Sequence, residues 1–250
     1  MSDLWTERGA RYAASALHRF GPSLPKLLAL ARPVAGDRCL DLGTGAGHTA
    51  AHLAERAGRV YGLDPTEGML AAAKESYGHL ANLSFVLGTG ADTGFPDASF
   101  DLVTARHTLH HHPDLAATLR EVARVLKPGG RFILVDEVTP NDAVAAWYHA
   151  LEQTRDPSHV RAYTLGEWRG FIREAGLSWV VGDAQTVYHI EVESWIARMD
   201  PSREQAEAVR RMLLEADETA RETFAIRYEG GKAVSFEMPM ALILVAHPEV

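Results

Sequence analysis

The stretch Arg38-Cys39-Leu40-Asp41-Leu42-Gly43-Thr44-Gly45-Ala46-Gly47 decides the fold. Cys39, Leu40 and Leu42 make a short apolar strand, Gly43, Gly45 and Gly47 follow at once, and His48–Ala57 reads as a helix. Strand, glycine turn and helix open a nucleotide-binding βαβ unit. The glycines allow a sharp turn and let a ligand approach without meeting a Cβ. The helix N-terminus then presents free N–H groups to an anionic or polar part of that ligand.

The spacing is G-x-G-x-G, and His48 stands where a dinucleotide-type loop has its third glycine. A pyrophosphate-gripping loop is therefore disfavoured, and a nicotinamide oxidoreductase with it. Asp41 lies two residues before the first glycine, and Asp64 ends the next apolar strand, Arg59-Val60-Tyr61-Gly62-Leu63. Asp64 falls about 20 residues past the loop, where a carboxylate accepts hydrogen bonds from ribose hydroxyls.

Outward from this unit, apolar strands alternate with helical patterns. Residues 3–20 and Leu24–Ala31 read as helices, Leu83–Leu87, Phe100–Ala105 and Phe132–Val135 as further strands. Pro65 suits the first turn of a helix carrying Met69, Leu70 and Ala73. Leu115, Leu119, Val122 and Leu126 form a helical stripe, and Lys127-Pro128-Gly129-Gly130 a hard turn. Five such strands predict a parallel sheet covered on both faces, with Asp41, Asp64 and Asp136 at the strand C-terminal ends where ligands bind. Residues 140–176 read as two or three helices, Leu177–Ile190 as a strand, Ser202–Ala220 as an amphipathic helix, and 224–246 as a hairpin around Gly230-Gly231.

Bulk properties fit a soluble α/β enzyme: 46% hydrophobic and 23% charged residues, a net charge of -8 and a pI near 5.8. That acidity disfavours nucleic-acid partners. Cys39, in the first strand, reads as a buried structural thiol. Neither a signal core at the N-terminus nor a run long enough for a membrane span is present, so a cytoplasmic location is expected.

Further motifs accompany the loop: Gly62-Leu63-Asp64, Phe95-Pro96-Asp97-Ala98-Ser99-Phe100-Asp101, Leu109-His110-His111 and Val125-Leu126-Lys127-Pro128-Gly129-Gly130. With Leu40–Gly47 they resemble the class I S-adenosylmethionine (SAM)-dependent methyltransferases of the ubiquinone/menaquinone biosynthesis C-methyltransferase type (methyltransferase type 11). The resemblance covers residues 38–136. It implies a Rossmann-like seven-stranded sheet, mostly parallel with the last strand antiparallel, and a helical cap insertion. The implied layout is an N-terminal helical lid (1–35), a SAM-binding α/β core (36–139), a helical substrate cap (140–176) and C-terminal strands and helix completing the sheet (177–250). The cofactor implied is S-adenosyl-L-methionine, with S-adenosyl-L-homocysteine as product. Carried onto this chain, its binding residues are Asp41, Gly43, Thr44, Gly45, Gly47, Asp64, Pro65, Met69 and Arg106, with Tyr12 and His18 on a lid helix beside Ser15. One departure stands out: Thr89 occupies the place of the family's adenine-binding acid. Gly90 and Ala91 keep backbone groups that can read the adenine edge, and Asp92, displaced by three residues, reaches it if the loop bends.

Methyl transfer from a sulfonium is an in-line displacement, and alignment alone is worth about 7–11 kcal/mol. No nucleophilic residue is required. His107, after the fourth strand, is the candidate general base or substrate contact; the alternative is a histidine that lines the cofactor or packs its neighbours. His110, His111, His112 and Asp114 do not read as a metal site, because adjacent histidines in one loop diverge. Asp136 and Glu137 read as substrate contacts or plain strand-end residues. Trp147, Tyr148, Arg155, His159, Tyr163 and Trp168 fit a pocket for a small-molecule methyl acceptor, aromatic or quinone-like, and equally a homodimer interface. The alternative function is a non-catalytic SAM-binding sensor or partner protein.

Overall fold

The computed structural model describes residue 15 and residues 19–249. Tyr12, His18 and nearly all of the helix expected over 3–20 lie outside the described residues. The chain then runs α1 (Ser23–Ala31), β1 (Arg38–Leu42), α2 (His48–Ala54), β2 (Arg59–Asp64), α3 (Glu67–Tyr77), β3 (Leu83–Leu87) and β4 (Phe100–Arg106). A 3-10 turn, Leu109–His111, leads to α4 (Leu115–Val125) and β5 (Leu126–Glu137). The second half comprises α5 (Asp142–Arg155), α6 (Leu165–Glu174), β6 (Ser178–Glu191), α7 (Val192–Arg198), α8 (Arg203–Leu214), α9 (Glu218–Thr223), β7 (Arg227–Glu229) and β8 (Lys232–Ala246).

Seven strands run across the sheet, the number the family resemblance implies, in the order β3-β2-β1-β4-β5-β8-β6. β1 to β5 are parallel, and β8 lies antiparallel between β5 and β6. The short β7 makes an eighth strand, folded back onto β8 through Gly230-Gly231. The expected hairpin is therefore shorter on its first side: Phe224 caps α9 and packs its ring on Tyr148, 4.8 Å away, instead of joining the sheet.

Apolar residues fill both faces. Leu27, Leu53, Tyr148, Leu151, Trp195 and Val209 pack on one side; Leu115, Leu119, Val122, Trp168 and Ile172 on the other. Such two-sided cover explains why β1 and β5 read as near-continuous apolar runs. Cys39 is fully buried, and its thiol is pushed up to about 12 by that burial, so it is an inert packing residue.

Three local readings shift. Lys127-Pro128-Gly129-Gly130 is an irregularity inside β5: Leu126 pairs with Phe100, and pairing resumes at Leu102 and Arg131. The helix expected over 202–220 divides, because Asp217 accepts from the Ala220 N–H and starts α9 afresh. The segment 140–176 is not one cap. α5 joins the first face and α6 the second, since their apolar stripes match opposite sides of the sheet.

One latch positions the loop between β3 and β4. Glu121 Oε1 on α4 accepts from the Thr93 N–H at 2.8 Å and from its hydroxyl at 2.6 Å, while Arg124 Nη1 holds Asp97 at 2.6 Å and Nη2 donates to the Phe95 carbonyl at 2.7 Å. The Arg124 hydrogen bond, chiefly, with those of Thr93, overcomes burial and holds the Glu121 carboxyl down at about 2. Glu121→Gln is expected to lower the unfolding free energy by about 1–2 kcal/mol at pH 7. A depressed carboxyl stabilises fully above its ordinary value of 4.5 and loses that contribution as pH falls toward 2. Urea unfolding of both proteins between pH 7 and pH 3 should show the gap closing; a gap independent of pH contradicts this account.

Candidate functional site

β1 and β2 end side by side, with Asp41 opposite Gly62 and Leu42 opposite Leu63. The glycine turn leaves β1 with positive φ at all three glycines. At Gly43 (φ +62°) a Cβ would lie 2.0 Å from Thr108 Oγ1, so the turn can sit against the loop after β4 only without a side chain. At Gly45 (φ +51°) a Cβ would meet open space. The Thr44 N–H donates to the Leu63 carbonyl at 2.9 Å.

Asp64 ties this turn to the next helix. Its Oδ2 accepts from the Gly45 N–H and its Oδ1 from the Thr66 N–H, both at 2.9 Å. Asp41 is held by two hydroxyls, Thr44 Oγ1 and Thr104 Oγ1, each at 2.7 Å. Burial raises Asp41 to about 6 in spite of those bonds, and raises Asp64 as well. Two buried carboxylates with no adjacent ion-pair partner among the described residues favour a ligand that brings positive charge or hydroxyl donors.

A cavity of about 540 Å³ opens over this turn. Asp41, Gly43, Thr44 and Gly45 line it, together with Asp64, Pro65 and Met69. Gly90 and Ala91 form a second wall, and Arg106 and His107 a third. Two residues singled out from the sequence are not on its surface. Gly47 is turned inward, where an added Cβ would lie 2.8 Å from the Phe85 ring. Asp92 does not bend into the cavity: its carboxylate accepts from the Gly94 N–H at 3.2 Å, and its own N–H donates to Thr89 Oγ1 at 3.2 Å. The tight turn satisfies the acid locally and leaves it exposed. Thr89 itself lines the cavity, and Gly90 rests on His112, whose Cε1 would stand 2.4 Å from a Cβ there.

The third wall is built across the fold. Tyr188 on β6 is 2% exposed, and its hydroxyl meets Ser23 Oγ at 2.8 Å and His107 Nε2 at 3.1 Å. Arg106 Nε donates to the same Ser23 Oγ at 3.0 Å. His107 has φ +55°, a conformation that costs a non-glycine residue about 1–3 kcal/mol and persists where surroundings enforce it. Its N–H donates to the Val135 carbonyl at 2.8 Å, and its ring meets Tyr188 edge-on at 5.2 Å. Ile190, Trp195 and Met238 add apolar surface. Sequence reading missed these four contributors from β6, α7 and β8, because a strand pattern carries no mark of which residue will face a cavity.

The consecutive histidines diverge to three partners. His110 Nδ1 contacts Asp136 Oδ1, His111 Nδ1 lies 3.1 Å from the Ser158 carbonyl, and His112 Nδ1 lies 2.9 Å from Thr118 Oγ1. Burial alone would lower His110, yet the Asp136 and Glu137 carboxylates raise it to about 10. Burial lowers His112 to about 4. Asp136 also accepts from the backbone N–H groups of Leu109, His110 and Glu137.

The aromatic residues expected to form a substrate surface behave differently. Tyr148 and Trp168 are fully buried in the two cores, and Trp147 packs on Phe224. From 140–176, Arg155 and Asp156 reach the cavity. Arg155 is seated on the Trp195 ring, 4.4 Å away, and its Nε donates to the Trp195 carbonyl at 3.2 Å.

With this geometry in hand, comparison with known proteins is direct. Residues 40–134 match the family model described as a methyltransferase domain. Over 228 residues the chain is 36% identical to the uncharacterised methyltransferase YcgJ of Bacillus subtilis, covering 89% of each protein. It is 31% identical over 197 residues to a fatty-acid O-methyltransferase of Mycolicibacterium smegmatis, covering 78% of this chain and 70% of that one. The crystal structure of a YcgJ protein from Bacillus subtilis superposes with a TM-score of 0.85 at 35% identity, covering 91% of this chain and 99% of the other. The chain accordingly belongs to the methyltransferase family.

Proposed function

We propose that this methyltransferase moves the methyl group of S-adenosyl-L-methionine to a small apolar or aromatic acceptor, releasing S-adenosyl-L-homocysteine. The observation that carries the reading is the glycine turn flanked by buried Asp41 and Asp64, opening onto one cavity. The fit is chemical. A sulfonium amino acid supplies positive charge for Asp41, and ribose hydroxyls supply donors for the remaining lone pairs of Asp64. On this reading the adenosyl group takes the open space at Gly45, and its base is assigned to Thr89, Gly90 and Ala91, which line the same cavity.

The sulfonium, when bound, supplies an activated methyl carbon. The chain's residues supply position and a dry pocket. Arg106 and His107 face the cavity from the end of β4, and the Tyr188 hydroxyl fixes the His107 ring by its Nε2. His107 can orient the acceptor or take its proton; Ile190, Trp195 and Met238 favour an apolar acceptor body. A fatty-acid O-methyltransferase and a 27-O-demethylrifamycin SV methyltransferase among the relatives support the small-molecule class.

Asp64→Ala is expected to weaken SAM binding at least tenfold by calorimetry, with the circular dichroism spectrum unchanged; an unchanged dissociation constant contradicts the ribose role. Gly45→Val is expected to abolish binding, since a branched side chain would fill the open space and strain a positive φ. SAM affinity of the wild type should fall as pH drops from 7 through about 6, because protonation of Asp41 removes the charge that favours a cation. His107→Asn should leave SAM affinity within about twofold and cut turnover at least tenfold in an acceptor screen read by S-adenosylhomocysteine release. Tight SAM binding with no acceptor-dependent product would favour the sensor function instead.

A further inference from the structure

We propose that His110, Glu137 and His159 form a binding site for one borderline divalent transition metal ion, of the zinc type, beside the acceptor end of the cavity. Each offers one ligand atom, and the three atoms lie within 4.8 Å of one another. All three residues are buried. Glu137 Oε2 lies 3.7 Å from His159 Nδ1, which sets the carboxylate beside that ring. Donors bound to one metal at about 2.0–2.2 Å stand roughly 3–4 Å apart, so closing the set needs side-chain adjustment and no rearrangement of the fold.

The second layer of contacts is that of a metal site. His110 Nδ1 is committed to Asp136, and Asp136 is fixed by three backbone N–H groups. A carboxylate on one ring nitrogen orients the other nitrogen toward a metal and raises its donor strength. The two histidines are also joined through the backbone: the His110 carbonyl accepts from the N–H of Val160, next to His159, at 2.8 Å. The rings stack with centroids 5.4 Å apart.

Independent of that geometry, polar atoms are orphaned here. His159 Nε2 and Glu152 Oε1 have no hydrogen-bond partner among the described residues, and His159 is 2% and Glu152 1% exposed. His149 Nδ1, on a ring 5.8 Å from His159, is orphaned too. Buried polar atoms are ordinarily paired, and an unexplained cluster of exceptions marks a missing ion or water. Asp136, Glu137, Glu152 and Asp156 are buried together beside Arg155 and His110, and a divalent ion would take the place of the proton that these acids hold on His110.

The donor set selects the metal class. Two imidazoles and one carboxylate suit zinc, cobalt or iron(II), whereas magnesium and calcium take oxygen ligands. Three protein ligands leave a position open. His110 and Glu137 line the cavity, so that position faces it, and it would hold an oxygen atom of the acceptor. This last step rests on the proposed methyl transfer; metal binding itself does not. Adjacent residues 110–112 do not chelate together, in line with their divergence: one of them joins donors from β5 and from the loop after α5.

The full-length protein, stripped with EDTA and dialysed, is titrated with Zn²⁺ and Mg²⁺ by calorimetry and with Co²⁺ by visible absorption. One equivalent of Zn²⁺ and of Co²⁺ is expected, the latter with the intense ligand-field bands of a four- or five-coordinate site, and no Mg²⁺. His159→Asn and Glu137→Gln should each weaken Zn²⁺ binding at least a hundredfold, and Asp136→Asn about 10–100-fold. His189→Ala, on the exposed face of β6, should bind as the wild type. Circular dichroism and thermal unfolding check that each variant is folded, and the wild-type Co²⁺ spectrum stands whether or not a variant folds. Wild type that takes up no Co²⁺ or Zn²⁺, or a folded His159→Asn variant that binds Zn²⁺ unchanged, overturns the site. SAM binding measured in the same samples separates the two proposals: its loss in Co²⁺-loaded protein counts against methyl transfer and leaves the metal site in place.

Discussion

A single carboxylate ties together the C-terminal edge of the parallel strands in this protein. Asp64 accepts from Gly45 at the turn after β1 and from Thr66 at the start of α3, so two successive βα junctions share one anchor. A charged acceptor serving two backbone donors makes a stronger tie than neutral pairs would. It fixes the glycine turn in a left-handed conformation that leaves open space at Gly45. Asp41, one strand over, is clamped by Thr44 and by Thr104 of β4 in the same manner. Both acids are thus held by fixed donors, and both keep a desolvation cost from their burial.

The opposite end of the cavity is organised by different chemistry. There the tyrosine hydroxyl of β6 gathers Ser23 from α1 and His107 from the end of β4. Behind it sits a dense group of buried acids and histidines, in which Asp136 orients His110 while His111 and His112 turn to other partners. A cavity with an acidic turn at one end and an imidazole-rich wall at the other can hold a donor and an acceptor in line, which is what methyl transfer needs from a protein. The metal assigned to His110, Glu137 and His159 would extend this logic by anchoring the acceptor through oxygen.

The parallel core was legible because each of its strands carries its own signal. Apolar runs bounded by glycine or acid identify β1 to β5, and Asp41, Asp64 and Asp136 mark their C-terminal ends. The turn residues Gly43 and Gly45 were equally legible, since a chain that turns through positive φ favours glycine whatever the rest of the chain does. Less was legible after Glu137. The aromatic segment 140–176 looked like a substrate surface, yet Tyr148 and Trp168 became core on opposite faces. Composition reports that aromatic area must be buried; it does not report against what.

The sequence alone determined the order of strands and helices, the glycine turn and the two acids beside it, because these follow from local periodicity and backbone sterics. Tertiary structure alone decided that Tyr188 would hold His107, that Asp92 would be spent inside its own turn, and that His159 would stand beside His110 and Glu137. Those outcomes join residues far apart in the chain or set a loop's bend. They depend on the register of β6 against β8 and on the path between α5 and α6, where no local pattern records which side chains will meet.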